Sequence, residues 1–103
     1  MITRMIVAAA QMNVTDDTER NLRSILRFME KAAKMRSDIV CFPEACLVSD
    51  EKNAVSITRH LRAIESKCKE LSIWCIFCSY KKERNKVRNL AFVIDRRGRL
   101  IYQ

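Results

Sequence analysis

The sequence predicts an α/β fold with element order β-α-β-α-β-β-β and a mixed sheet. Three observations lead there. Two segments repeat apolar residues at helical spacing, and short apolar runs bounded by polar turns lie before, between and after them. The chain holds one Gly and one Pro in 103 residues, too few for the many tight hairpins of an all-β domain. Its composition, 49% hydrophobic and 31% charged, suits a globular domain rather than a disordered or membrane-spanning one. A chain of this length can bury roughly two-thirds of its surface, enough for a modest core.

Each element follows from local pattern. Met5 to Met12 is an apolar run that reads as a first strand, buried on both faces. The stretch MITRMIVAAAQ also loosely mimics a secretion leader, but its apolar run is only six residues long before Gln11, and a strand is the better reading. Thr15-Asp16-Asp17 supplies helix-capping candidates, with Asp16 and Glu19 at capping-box spacing. From Thr18 to Met35, residues Leu22, Ile25, Leu26, Met29 and Ala32 or Ala33 form one helical face, and Arg20, Arg23, Arg27, Lys31 and Lys34 fill the other. Asp38 to Phe42 reads as the second strand. Pro43 ends it, because proline has no N–H for a central ladder. Residues Ala45 to Ala54 read as a loop, and Val55 to Leu71 as a second helix with the stripe Ile57, Leu61, Ile64, Cys68 and Leu71. Ile73 to Tyr80 is a third strand, Lys81 to Lys86 a turn, Val87 to Asp95 a fourth strand, Arg96-Arg97-Gly98 a turn, and Arg99 to Tyr102 the start of a fifth strand. Alternation of strands with helices implies parallel strands joined by right-handed crossovers, with the last three strands adding antiparallel pairs at one edge. The sequence stops inside that fifth strand, so an incomplete domain spanning 1–103 is expected.

Charge and cysteine usage narrow the function classes. The net charge of +8 is uneven. Residues 1–80 carry 12 basic and 10 acidic side chains, whereas residues 81–103 carry 8 basic and 2 acidic. The basic excess lies in KKERNKVR and DRRGR. One reading is a small basic α/β protein that binds nucleic acid through residues 81–99, using Lys81, Lys82, Arg84, Arg96 and Arg97. No aromatic residues interleave with these charges, so two solvated turns around one strand is preferred and nucleic acid is not the expected partner. The five cysteines are Cys41, Cys46, Cys68, Cys75 and Cys78, an odd number that points to reduced thiols in the cytoplasm. No stretch is long enough for a membrane span.

Glu44 is the first candidate for chemistry. It follows strand two directly in DIVCFPEACL, and the carboxyl ends of strands are where α/β sheets gather their sites. Burial beside Phe42 and Ala45 is expected to suit it to proton transfer as a general base, and an ordinary loop carboxylate is the alternative. Cys75-Ile-Phe-Cys78 has CxxC spacing, but in a strand residues three apart point to opposite faces, so two core cysteines are expected rather than a redox or zinc site. His60, the one histidine, is expected at the surface or its boundary. With Gly98 the sole glycine there is no phosphate loop, and no cofactor or metal is implied.

Taken together, these landmarks resemble the nitrilase superfamily of carbon–nitrogen hydrolases. The residues that carry the likeness are the strand ending in Gln11-Met12, the ERNL of the first helix, DIVCFPEACL, Asn89 in RNLAFVID, and the DRRG turn. The resemblance implies an αββα sandwich of which this chain supplies part, a mixed sheet with helices on one face. It implies a Glu–Lys–Cys thiol mechanism on amide, nitrile or N-carbamoyl substrates, with Glu44 as general base, and a homo-oligomer, a dimer, for the complete protein. The family's lysine would fall shortly after GRLIYQ and its cysteine further on, so residues 1–103 are expected to be inactive alone. None of the five cysteines matches the nucleophile's position, and Cys78-Ser79 stands where the family usually has glycine. A non-catalytic remnant is the other reading.

Overall fold

The computed structural model describes residues 4–103; residues 1–3, which open the leader-like stretch and the expected domain, lie outside the described residues. The elements are β1 (Val7–Ala9), α1 (Thr18–Lys34), β2 (Ile39–Cys41), a 3-10 turn (Glu51–Asn53), α2 (Thr58–Leu71), β3 (Trp74–Glu83), β4 (Lys86–Ile94) and β5 (Leu100–Tyr102). They form one sheet in the order β1-β2-β3-β4-β5. The first three strands are parallel and the last three pair antiparallel, as the alternation of helices and strands requires.

The first two strands are shorter than the apolar runs suggest, three residues each. The third and fourth are longer than expected. They pair from Cys75↔Ile94 to Glu83↔Lys86, and the expected Lys81–Lys86 turn shrinks to Arg84 and Asn85. Arg84 takes a positive φ of 58°, which closes this tight hairpin. The cap of α1 is Asp17, one residue later than the capping-box spacing indicates; its Oδ1 accepts from Arg20 N at 3.1 Å. Glu19 therefore does not close a box and instead reaches α2. The second helix starts at Thr58 rather than Val55.

Both helices lie on one face of the sheet. Leu22, Ile25, Met29 and Ala32 of α1 and Ile64 and Cys68 of α2 share one buried cluster with Val40, Cys75, Phe77, Phe92 and Ile94. Phe77 and Phe92 oppose each other in the β3–β4 register and stack at 4.8 Å between ring centroids. Each fully buried side chain of this size contributes about 1.5–3 kcal/mol. The period-2 partners of these residues, among them Val7, Ile39, Trp74, Ile76 and Val93, line the opposite face and stay half-buried or exposed. That face is apolar yet left uncovered by the described residues, which is unusual for a solvent-facing sheet.

Gly98 sits in the β4–β5 turn at φ +80°, and a Cβ there would lie 2.6 Å from the Glu65 carbonyl oxygen on α2. The turn is built on Asp95, whose Oδ1 accepts from Arg97 N and Arg99 N, both at 2.9 Å, and whose Oδ2 faces the Arg99 guanidinium at 2.9 Å. These bonds, led by the Arg99 backbone N–H, hold the Asp95 carboxyl below its usual range. Among the described residues no helix is long and apolar enough to cross a membrane.

Candidate active site

The site is set by how the chain leaves β2. Phe42 N still donates to Ile76 O at 2.9 Å, but Pro43 has no N–H and the ladder stops. Ala45 then takes φ +49°, a left-handed conformation that costs a non-glycine residue about 1 kcal/mol or more. Beyond the kink the chain rejoins β3. Cys46 N donates to Cys78 O at 2.9 Å, Val48 N to the Ser79 hydroxyl at 3.0 Å, and Tyr80 N to Val48 O at 3.1 Å. Glu44 is carried at the gap between the two pairings, at the carboxyl end of β2.

The carboxylate is exposed, so the dry surroundings expected from Phe42 and Ala45 are not formed; Phe42 is buried and Ala45 half-buried. The Pro43 and Ala45 kinks project Glu44 away from the core that takes in Phe42. Its one side-chain hydrogen-bond partner among the described residues is Asn89 of β4, whose Nδ2 donates to Glu44 Oε2 at 3.2 Å. The half-buried Cys78 lies near enough that the Glu44 charge, after the larger effect of burial, pushes its thiol pKa up. A thiol so shifted stays protonated and is a poor nucleophile.

The other candidates separate from this site. Cys46 is fully buried, donates its thiol to Cys78 O at 3.4 Å, and is pushed up to about 12 by burial. Cys75 is buried beside Cys68 in the helix-covered core, on the face opposite Cys78, and its thiol pKa is raised by that contact and by burial. The CxxC pair therefore diverges, and all five cysteines are free. Among the described residues no group of three or more His, Cys, Asp and Glu side chains is placed to hold a metal ion. His60 is not at the surface: it is 7% exposed, with Nε2 3.1 Å from Glu19 Oε1 and no partner for Nδ1 among the described residues. Arg59 pairs with the same carboxylate and, as the largest effect, lowers the Glu19 pKa.

The basic segment does not form one patch. Lys81, Lys82, Arg84, Lys86 and Arg88 lie on the β3–β4 hairpin, with Lys81 paired to Glu83 at 2.9 Å, whereas Arg96 and Arg97 lie in the turn at the far end of β4. The nine residues of β4 span about 30 Å between the two groups. A cavity of about 390 Å³ lined by Asp38, Ile39, Trp74 and Val93 opens at the strands' other end, away from Glu44.

Three side chains, one on Glu44 and two on the chain that follows it, had weak signals in the sequence. Asn89 is a β-disfavoured residue inside an apolar strand. Asn21 occupies the stripe position four residues before Ile25 and is 1% exposed. Ser79 is fully buried between apolar neighbours.

Comparison with known proteins bears on the whole arrangement. Residues 6–103 match the family model described as carbon-nitrogen hydrolase. No curated protein sequence matches the chain. Among solved structures, an amidase from Nesterenkonia sp. superposes with TM-score 0.80 at 13% identity, over 95% of this chain and 41% of that one. A double mutant of the same amidase, with one glutamate changed to glutamine and one cysteine to alanine, is in complex with acrylamide; it gives 0.80 at 12% identity over 99% and 44%. A cysteine-to-alanine mutant in complex with butyramide gives 0.78 at 13% identity over 94% and 41%. The chain thus spans less than half the length of these structures, and at such identity the likeness is one of fold.

Proposed function

The chain belongs to the carbon–nitrogen hydrolase family, and from that premise we propose that Glu44 is the general base of a Glu–Lys–Cys thiol amidohydrolase site in the complete protein. The observation that carries this reading is the position of Glu44: a carboxylate projected by a proline stop and a left-handed kink from the carboxyl end of β2, with Asn89 on one oxygen. The substrate is a small non-peptide amide, nitrile or N-carbamoyl compound. Mutants of the amidase that shares this fold are in complex with acrylamide and with butyramide, and another shows covalent addition of the acetamide moiety of fluoroacetamide at the active site cysteine. These facts support an amide first among the three classes.

In this reading the Asn89 amide fixes Glu44 Oε2, leaving Oε1 to accept the proton of a cysteine thiol. The thiolate attacks the substrate carbon and a thioester forms as the amine leaves with the proton Glu44 returns. Glu44 then takes a proton from water, which attacks the thioester and frees the acid and the thiol. The lysine ammonium stabilises the oxyanion of each addition step. The lysine and cysteine belong to chain outside residues 1–103, so this chain supplies the base alone. The uncovered apolar sheet face supports the same reading, since one sheet with helices on one side is half of an αββα sandwich. A homodimer of the complete protein and a cytoplasmic, reducing location consistent with five free thiols complete the proposal.

The test is Glu44→Gln in the complete protein. Acyl transfer to water should be nearly abolished with the fold retained, and near-normal turnover would overturn the assignment. Residues 1–103 alone should not hydrolyse amides.

A further inference from the structure

We propose that Asn21 is a positioning residue for Glu44, acting by clamping the Cys46–Val48 ribbon to the start of α1. The proposal rests on the reading of Glu44 as the base. Asn21 lies in the first turn of α1, on its apolar stripe, where a leucine would meet the packing requirement. It instead spends its full hydrogen-bonding capacity. Oδ1 accepts from Thr15 N at 2.9 Å and Thr15 Oγ1 at 2.8 Å, while Nδ2 donates to Thr15 O at 2.7 Å and Leu47 O at 2.8 Å. Leu47 is three residues beyond Glu44. Ser49 Oγ adds a second tie, donating to the same Thr15 carbonyl at 2.8 Å.

On the opposite side the ribbon is held by β3, through Cys46 N to Cys78 O and Val48 N to Ser79 Oγ. The ribbon is thus fastened between a helix start and a strand within five residues of the carboxylate. The residue joining Glu44 to it, Ala45, holds φ +49°. A non-glycine residue stays in that conformation only where its surroundings over-determine it. The Asn21 bond to Leu47 is one of those determinants, so its loss lets Ala45 relax and Glu44 swing away from Asn89. Being buried and apart from the carboxylate, Asn21 acts through the backbone and does not touch the reacting atoms.

The experiment compares the wild type with Asn21→Ala, Asn21→Leu and the double variant Asn21→Ala with Ala45→Gly. The readout is the nuclear Overhauser effect between the Asn89 side-chain amide and the Glu44 γ protons, with kcat and KM measured in parallel on the complete protein using butyramide. The Overhauser signal should fall by roughly half or more in Asn21→Ala, and kcat by about 10-fold with KM little changed. Glycine at position 45 accepts the left-handed kink freely and should restore much of the signal. Asn21→Leu keeps the apolar packing of the stripe and removes all four bonds without burying a charge, so it reads the clamp even if the alanine variant unfolds. An unchanged signal in both single variants, or no rescue by glycine, would overturn the proposal. A lost signal with unchanged kcat would leave the clamp standing and count against Glu44 as the base.

Discussion

Asn89 on β4 donates its side-chain amide to Glu44 Oε2 over 3.2 Å, joining the middle of one strand to the end of another two positions away in the sheet. In the reading of Glu44 as the base, the bond selects which carboxylate oxygen takes the proton. In the complete protein, Asn89→Ala should lower kcat about 10-fold, the size of one hydrogen bond to a charged group. Asn89→Asp should lower it further, because it sets a second carboxylate against the first. Steady-state kinetics on one amide substrate checks both, and equal effects of the two variants would show that the charge at position 89 is irrelevant.

Much of the fold around this pair was legible in the sequence. Helical stripes gave both helices, and the alternation of helices with apolar runs gave the parallel half of the sheet. Pro43 and Glu44 marked the site because proline cannot continue a ladder. What escaped was mostly long-range. Glu19 reads locally as a capping partner, yet its carboxylate belongs to Arg59 and His60 about forty positions away, and His60 is buried rather than exposed. Pro43 signals a stop but not the kink at Ala45, since nothing in an alanine announces a positive φ. Nor does Asn21 reveal its partner Leu47, a backbone carbonyl that any residue would offer.

Asp95 gives a pH dependence with a definite sign. Its folded pKa lies below the ordinary carboxylate value, so the stability it contributes is present above the unfolded pKa and is lost as pH falls through the folded one. Asp95→Asn should therefore lower Tm at neutral pH, and the gap from wild type should close in acid, once the pH has fallen through the lowered folded pKa. Thermal unfolding at both pH values checks this. A gap that persists unchanged in acid would trace the loss to shape rather than charge.

The β4–β5 turn depends on its glycine for two separate reasons. Gly98→Ala meets both the positive φ and the Glu65 carbonyl 2.6 Å from the new Cβ. Either the turn or α2 must move, and the cost should be about 2 kcal/mol or more. Denaturant unfolding should show the midpoint falling with little change in slope.

The two faces of β3 allow the sharpest test of the architecture. Ile76 and Phe77 are neighbours in sequence, but one points to the uncovered apolar face and the other to the helices. In residues 1–103, Ile76→Lys places a charge where water already reaches, so cooperative unfolding should survive and binding of a hydrophobic dye should fall. Phe77→Lys buries an unpaired ammonium in the core beside Phe92 and should abolish folding. In the complete protein the contrast should vanish. There a second sheet is expected to cover Ile76, and lysine at 76 should become as damaging as at 77. If Ile76→Lys is still harmless in the complete protein, that face stays open and the sandwich reading of this chain fails.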